Sequence, residues 1–275
     1  MSRSEAEKQL QATFAQSYLR NQSPVMQRVE RAICGCDYGG TSWTTRREAD
    51  EIAHKLALRP GQRLMDLGAG SGWPGLYLAA LSGCDIILVD VPWEGLAIAA
   101  ARAKADRLTG VCSVAAADGG ALPYGDGYFD AITHSDVLCC LPGKLAVLAE
   151  CRRTVSDGGR MIFTVISVAE DLSRVDYARA IEIGPPYIED GTDYPEMLRQ
   201  TGWALVERVD LGARFLDTAR ISLRVDKANR AGLAELLGEE DYRLKLAKDA
   251  HQLDVIAKGH LRRELYELRA AAAHG

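Results

Sequence analysis

Hydrophobic residues recur at two different periods along the chain, and the change of period divides it. Over residues 4–33, Leu10, Phe14 and Tyr18, then Val25, Val29 and Ile33, fall at helical spacing. Asn21-Gln22-Ser23-Pro24 interrupts them and predicts two helices. A loop from Cys34 to Trp43 follows, with adjacent glycines beside aromatics. Thr45 and Glu48 have capping-box spacing, and Ala49, Ile52, Ala53 and Leu56 share a face, so 46–57 is expected to be helical. From there short apolar runs alternate with helical stretches. Strands are expected at 63–67, 85–90, 112–116, 131–135 and 160–168, and helices at 74–81, 94–109 and 144–154. Such alternation builds a parallel sheet with helices on both faces.

The stretch 167–193 breaks this rhythm. A helical piece at 169–180 runs into Gly-Pro-Pro-Tyr, which reads as an insertion between sheet elements. A short helix at 195–201, a strand at 205–211, long helices over 214–258 and a last edge strand at 262–269 complete the chain. The expected fold is α/β: a Rossmann-like, seven-stranded, mostly parallel sheet with helices on both faces. An N-terminal helical cap (1–45) precedes a domain over 46–269 that carries a lid insertion at about 167–193.

Composition narrows the function classes. The chain has 275 residues, 33 basic against 38 acidic, and a formal net charge of −5. Mild acidity with no basic tail argues against nucleic acid as a partner. No apolar run approaches the roughly 18–20 residues of a membrane span, which argues against a membrane. The polar first thirty residues lack the apolar core of a secretory signal. Seven cysteines, an odd number, fit reduced thiols and a cytoplasmic protein. Cys139-Cys140 and Cys34-x-Cys36 have no four-ligand zinc spacing, so no metal is expected. The oligomeric state is open, with a homodimer among the options.

The chemistry concentrates in Leu64-Met-Asp-Leu-Gly-Ala-Gly-Ser-Gly-Trp-Pro-Gly75, where an expected strand meets a helix through a glycine-rich turn. A G-x-G pair alone is shared by two large ligand classes. The dinucleotide fingerprint G-x-G-x-x-G puts its third glycine where Trp73 stands here, and the glycine falls at 72 instead. Asp66 ends the strand, and a carboxylate there would repel a pyrophosphate but attract an ammonium.

These residues resemble the class I S-adenosylmethionine-dependent methyltransferases, in particular the small-molecule branch of ubiquinone/menaquinone methyltransferase-like proteins. The resemblance covers about 46–269 and is strongest over 60–165. It implies that Asp66, Gly68, Ala69 and Gly70 hold the amino-acid part of the cofactor. It implies that Asp90, at the end of the second strand, accepts both ribose hydroxyls and that Val91 packs on the adenine. Asp118 and Gly119 then stand near the adenine amino group, and Leu122-Pro-Tyr-Gly-Asp-Gly-Tyr-Phe-Asp130 matches a family segment. The end of the fourth strand, near His134 and Asp136, faces the methyl group and the acceptor. His134 is the first candidate for a base and Asp136 the second. Tyr38 and Trp43 are expected to line the site, and Trp73 to shield the sulfonium. Tyr177, Tyr187 and Tyr194 are expected lid aromatics. Arg152-Arg153 and Arg262-Arg263 read as solvated faces.

The expected function is methyl transfer from S-adenosylmethionine to an O, N, S or C nucleophile of a small molecule by in-line displacement. The alternatives are a related fold that binds the cofactor without transfer, as a cyclase, decarboxylase or regulatory module, and a dinucleotide-dependent oxidoreductase.

Overall fold

The computed structural model describes residues 4–188 and 193–271. Two helices open the chain, α1 (Glu5–Asn21) and α2 (Pro24–Cys34), followed by α3 (Arg46–Leu56). The capping box expected before α3 is formed: Glu48 N–H donates to Thr45 Oγ1 at 3.3 Å, and Thr45 N–H to Glu48 Oε2 at 2.8 Å. Strands and helices then alternate as β1 (Arg63–Leu67), α4 (Gly75–Ser82), β2 (Asp85–Asp90), α5 (Trp93–Ala105), β3 (Cys112–Ala116), β4 (Phe129–Ser135), α6 (Lys144–Thr154) and β5 (Val155–Val168). After β5 come α7 (Arg174–Ile183), α8 (Tyr194–Gln200) and β6 (Trp203–Asp210). Three helices, α9 (Gly212–Ala228), α10 (Arg230–Leu237) and α11 (Glu239–Ala257), lead to β7 (Leu261–Ala270).

The seven strands form one sheet in the order β3-β2-β1-β4-β5-β7-β6. β1 to β5 pair in parallel, while β7 runs antiparallel to both β5 and β6. The expected edge strand is therefore an inner one. β7 inserts beside β5 with Leu265, Tyr266 and Leu268 at most 2% exposed, and β6 forms the edge with Leu205 and Val206 about half exposed.

Strand alternation sorts the core into two layers. Leu64, Ile86, Leu88, Ala131 and Ile162 pack toward α3, α4 and α5. Met65, Val89, Ile132 and Phe163 face the opposite layer, which contains α6 and α8. A third cluster, Val25, Val29, Leu233 and Tyr242, ties α2 to α10 and α11. The excursion between β6 and β7 thus packs against the N-terminal helices. Among the described residues no helix is long and apolar enough to cross a membrane.

Candidate active site

The C-terminal ends of the parallel strands open into a cavity of about 1250 Å³. Its first half lies over β1, β2 and β3. After β1 the chain turns through Gly68, Ala69 and Gly70, and Gly68 and Ala69 donate to the carbonyl of Val89 at 2.7 and 3.1 Å. Gly70 sits at φ +50, and a Cβ there would lie 2.9 Å from the Tyr18 ring of α1. Only glycine permits that approach.

Asp90 closes β2. Its Oδ2 accepts from Gly70 N–H at 2.7 Å and its Oδ1 from Val91 N–H at 2.7 Å. Burial pushes the Asp90 pKa up to about 6, and these donors oppose the rise. Val91, Asp118 and Gly119 complete this side of the wall. Asp118 also accepts from Gly120 N–H at 2.9 Å in its own turn.

Asp66 stands behind the turn and is not part of the cavity wall. It is 1% exposed, and its Oδ2 accepts from Gly75 N–H at 3.0 Å. Burial pushes its pKa up to about 8 against that bond, with the Asp90 charge adding to the rise. The carboxyl expected to meet the cofactor's ammonium instead anchors the start of α4 in this structure. The parity of β1 explains the difference: residue 66 points, as Leu64 does, toward the α3–α5 layer.

The second half of the cavity lies over β4, β5 and β7. Val137, Leu141, Ile166 and Leu261 form an apolar floor, and residues 183–186 together with Lys248, Asp249 and Gln252 of α11 form the opposite wall. The buried Lys144 ammonium holds the loop after α7 in place, donating to the carbonyls of Leu141 at 3.0 Å and Tyr187 at 2.7 Å.

His134 does not reach this space, which corrects its expected role as a base. It sits inside the ladder, paired with Phe163 in register, and its ring stacks on Phe163 at 4.6 Å. It is fully buried, neither ring nitrogen has a partner, and burial lowers its pKa to about 3. Such an imidazole stays neutral. Ser135 and Asp136 are the residues that emerge on the cavity. Asp136 is ion-paired, because Arg263 Nε approaches its two oxygens at 2.9 and 3.2 Å. Arg263, expected on a solvated face, is 1% exposed. Its other nitrogens reach Glu48 at 2.9 Å, Thr44 at 3.0 Å and Thr164 at 3.2 Å. One guanidinium fork thereby joins the residue after β4, α3, β5 and the loop before α3.

The expected aromatics separate. Trp43 and Trp73 are on the cavity wall. Trp43 meets Phe215 edge-on at 4.9 Å, and Trp73 Nε1 donates to the Thr44 carbonyl at 2.8 Å. Tyr38 lies outside the wall, tilted against the back of Trp73 at 5.2 Å and under Arg102 at 3.7 Å. Tyr194 is 4% exposed and packs in the core near Phe163 and Tyr266. Tyr177 is 41% exposed and Tyr187 acts through its backbone, so neither is a wall residue. Cys139 is fully buried while Cys140 faces the cavity. Sequence reasoning missed Tyr18 and α11. Tyr18 ends an apolar helical stripe and reads as core; the charges of α11 read as a solvated surface.

A family model described as "Methyltransferase domain" matches residues 65–163, from β1 to β5. Methyltransferase GfsG of Streptomyces halstedii is 28% identical over 178 residues, covering 62% of this chain and 63% of its own length. The chain thus spans somewhat less than two thirds of that relative. Among solved structures, the [4+2]-cyclase SpnF superposes with a TM-score of 0.72 at 23% identity, covering 94% of each chain. Phosphoethanolamine N-methyltransferase 2 of Haemonchus contortus, solved with phosphomonomethylethanolamine and S-adenosylhomocysteine, reaches a TM-score of 0.77 at 17% identity. That likeness covers 94% of this chain and 60% of the other.

Proposed function

We propose that the chain is a class I S-adenosylmethionine-dependent methyltransferase that moves a methyl group to an O, N, S or C nucleophile of a small organic molecule. The observation that carries this is one continuous cavity. One half is a glycine turn beside a strand-end carboxylate, and the other is an apolar floor.

The residues present fit the cofactor. The turn at 68–70 presents nothing larger than the Ala69 methyl to the cavity, and Asp90 offers a carboxylate on the same wall. Asp90 would accept the ribose hydroxyls, Val91 would lie against the adenine, and Asp118 and Gly119 would stand beside its amino group. Trp43 and Trp73 would flank the sulfonium, where an aromatic face beside a cation is favourable. S-adenosylmethionine brings a methyl group that is already activated. The chain's own work is then alignment and exclusion of water. His134 takes no part, and the ion pair to Arg263 makes Asp136 an orienting group rather than a proton acceptor.

The acceptor half points to a molecule with an apolar body and a polar end. The body would rest on Val137, Leu141, Ile166 and Leu261, and the polar end would meet Lys248 and Asp249. The lid is composite: α1, residues 183–186 and α11 come from three places in the chain and share one cavity.

Incubation with methyl-labelled cofactor and a panel of amphipathic small molecules tests the reading. Label in an acceptor is the expected result. Tight S-adenosylhomocysteine binding with no labelled product from any acceptor would favour a cyclase-type role, which the fold shared with SpnF accommodates. Binding of NAD(H) without S-adenosylhomocysteine would overturn the proposal.

A further inference from the structure

Behind the loop at 39–43, a second cavity of about 260 Å³ opens between α2, α9 and α11. Thr41, Trp43, Asp249 and Gln252 border both cavities, so the smaller one is a side branch of the larger. It offers far more than the roughly 10–15 Å³ that admits one water. Met26, Val29 and Ile33 of α2 give it an apolar face. Its polar face is unbalanced: three carboxylates, Glu30, Asp226 and Asp249, stand against one ammonium, Lys245.

Lys245 Nζ is shared between two of these acids, pairing with Asp226 Oδ2 and, at 2.7 Å, with Asp249 Oδ2. Asp226 is 1% exposed, and its other oxygen, Oδ1, is buried with no hydrogen-bond partner. Asn21 is 7% exposed and donates through Nδ2 to the Gly40 carbonyl at 3.1 Å, while its Oδ1 is likewise buried and unpartnered. Both residues line the branch. A buried acceptor without a donor is costly. Two of them beside a surplus of carboxylates suit a ligand that brings N–H donors and positive charge. Among the described residues no group of three acidic, histidine or cysteine side chains could hold a metal ion, which favours an organic cation.

We propose that the branch binds an alkylammonium group, the end of the acceptor remote from the methylated atom. Its N–H groups donate to the Asp226 and Asn21 oxygens, and its stem rests on Met26, Val29 and Ile33. This deepens, and rests on, the reading of the larger cavity as a site of methyl transfer. Lys248 borders the larger cavity only, so charge repulsion keeps the ammonium on the branch side of Asp249.

The test is calorimetric titration of the whole chain, saturated with S-adenosylhomocysteine, with n-hexylammonium, 1-hexanol and hexanoate. Wild type should bind n-hexylammonium at least tenfold more tightly than either of the others. Asp226→Asn should weaken that binding about tenfold or more, the worth of a charged hydrogen bond. Ser222→Leu, which fills the branch from α9, should abolish the preference. Melting temperatures monitor folding, and Ser222→Leu carries the test if Asp226→Asn does not fold. Equal affinity for the three probes, or a preference that survives Ser222→Leu, overturns the proposal. In labelled-methyl assays, acceptors that differ only in a terminal amine or hydroxyl should differ about tenfold in KM at similar kcat, in favour of the amine. No such difference overturns the assignment of the branch to the acceptor. Label transfer to neutral acceptors, with the three probes bound equally, sinks the branch alone. Failure of wild type to bind S-adenosylhomocysteine sinks the methyl-transfer reading and the branch with it.

Discussion

The two halves of the cavity are built by different means. Over β1, β2 and β3 the wall is mostly backbone and short side chains drawn from 68 to 119, each at the end of a strand. Over β4, β5 and β7 it is apolar side chains from 137, 141, 166 and 261, faced by 183–186 and 248–252. One half is set by local turns that follow from the parallel sheet. The other is assembled from segments that meet only after the antiparallel β7 and the α9–α11 excursion are in place. Changes in the first should therefore register in cofactor affinity, and changes in the second in acceptor recognition.

The strongest test of that division strikes the joint between the halves. Arg263→Met leaves Asp136 and Glu48 buried without their partner, and breaking such a pair costs about 3–5 kcal/mol. Urea unfolding should show a loss of that size; a loss below about 1 kcal/mol would mean that the fork contributes little. Next in size is Asp90→Asn. It should weaken S-adenosylhomocysteine binding about ten- to a hundredfold, the worth of charged hydrogen bonds, while the acceptor KM at saturating cofactor stays within about twofold. The wild type adds a pH arm. The ribose hydroxyls bond the ionised carboxylate, so affinity should fall as pH drops through about 6 and lose that step in the variant. A parallel fall in both would assign the titration elsewhere.

Leu141→Gln probes the other half. A polar group on the apolar floor should raise the acceptor KM about tenfold and leave cofactor affinity within about twofold, read by steady-state kinetics and calorimetry. A matching loss of cofactor affinity would dissolve the distinction. The smallest effect on turnover is expected for His134→Leu, within about threefold, since the ring lies in the core. Its signature is in stability instead. The folded pKa of about 3 lies below the unfolded 6.5, so the wild type loses stability as pH falls from 6.5 toward 3. The variant should lack that loss and unfold at lower pH. Abolished turnover in a folded His134→Leu protein would restore the imidazole to the chemistry.

How far each half could be read in advance follows from this difference in construction. Asp90, Gly68 and Gly70 stand at ends of strands whose apolar runs are unmistakable, so position along the chain is nearly position in space. For His134 the expected strand end at 135 is correct, but parity turns residue 134 into the layer beneath the sheet, where its ring stacks on Phe163. Arg263 looked solvated because an alternating strand beside a charged partner resembles an edge. Its burial depends on Asp136, Glu48 and Thr44, which lie more than 120 residues away in sequence. Tyr18 and α11 carry no local mark, since a tyrosine on an apolar stripe and an amphipathic charged helix occur on any surface.

By itself the sequence determined the βα alternation, the glycine turn and the strand-end acids. These rest on period, φ and residue size, which act over a few positions. Tertiary structure alone decided that β7 enters the sheet inside β6, that Arg263 becomes a buried clamp, and that α1 and α11 share a cavity with the glycine turn. Those outcomes depend on which distant surfaces exclude water together. Burial is a property of the assembled layers, and no short stretch of chain contains it.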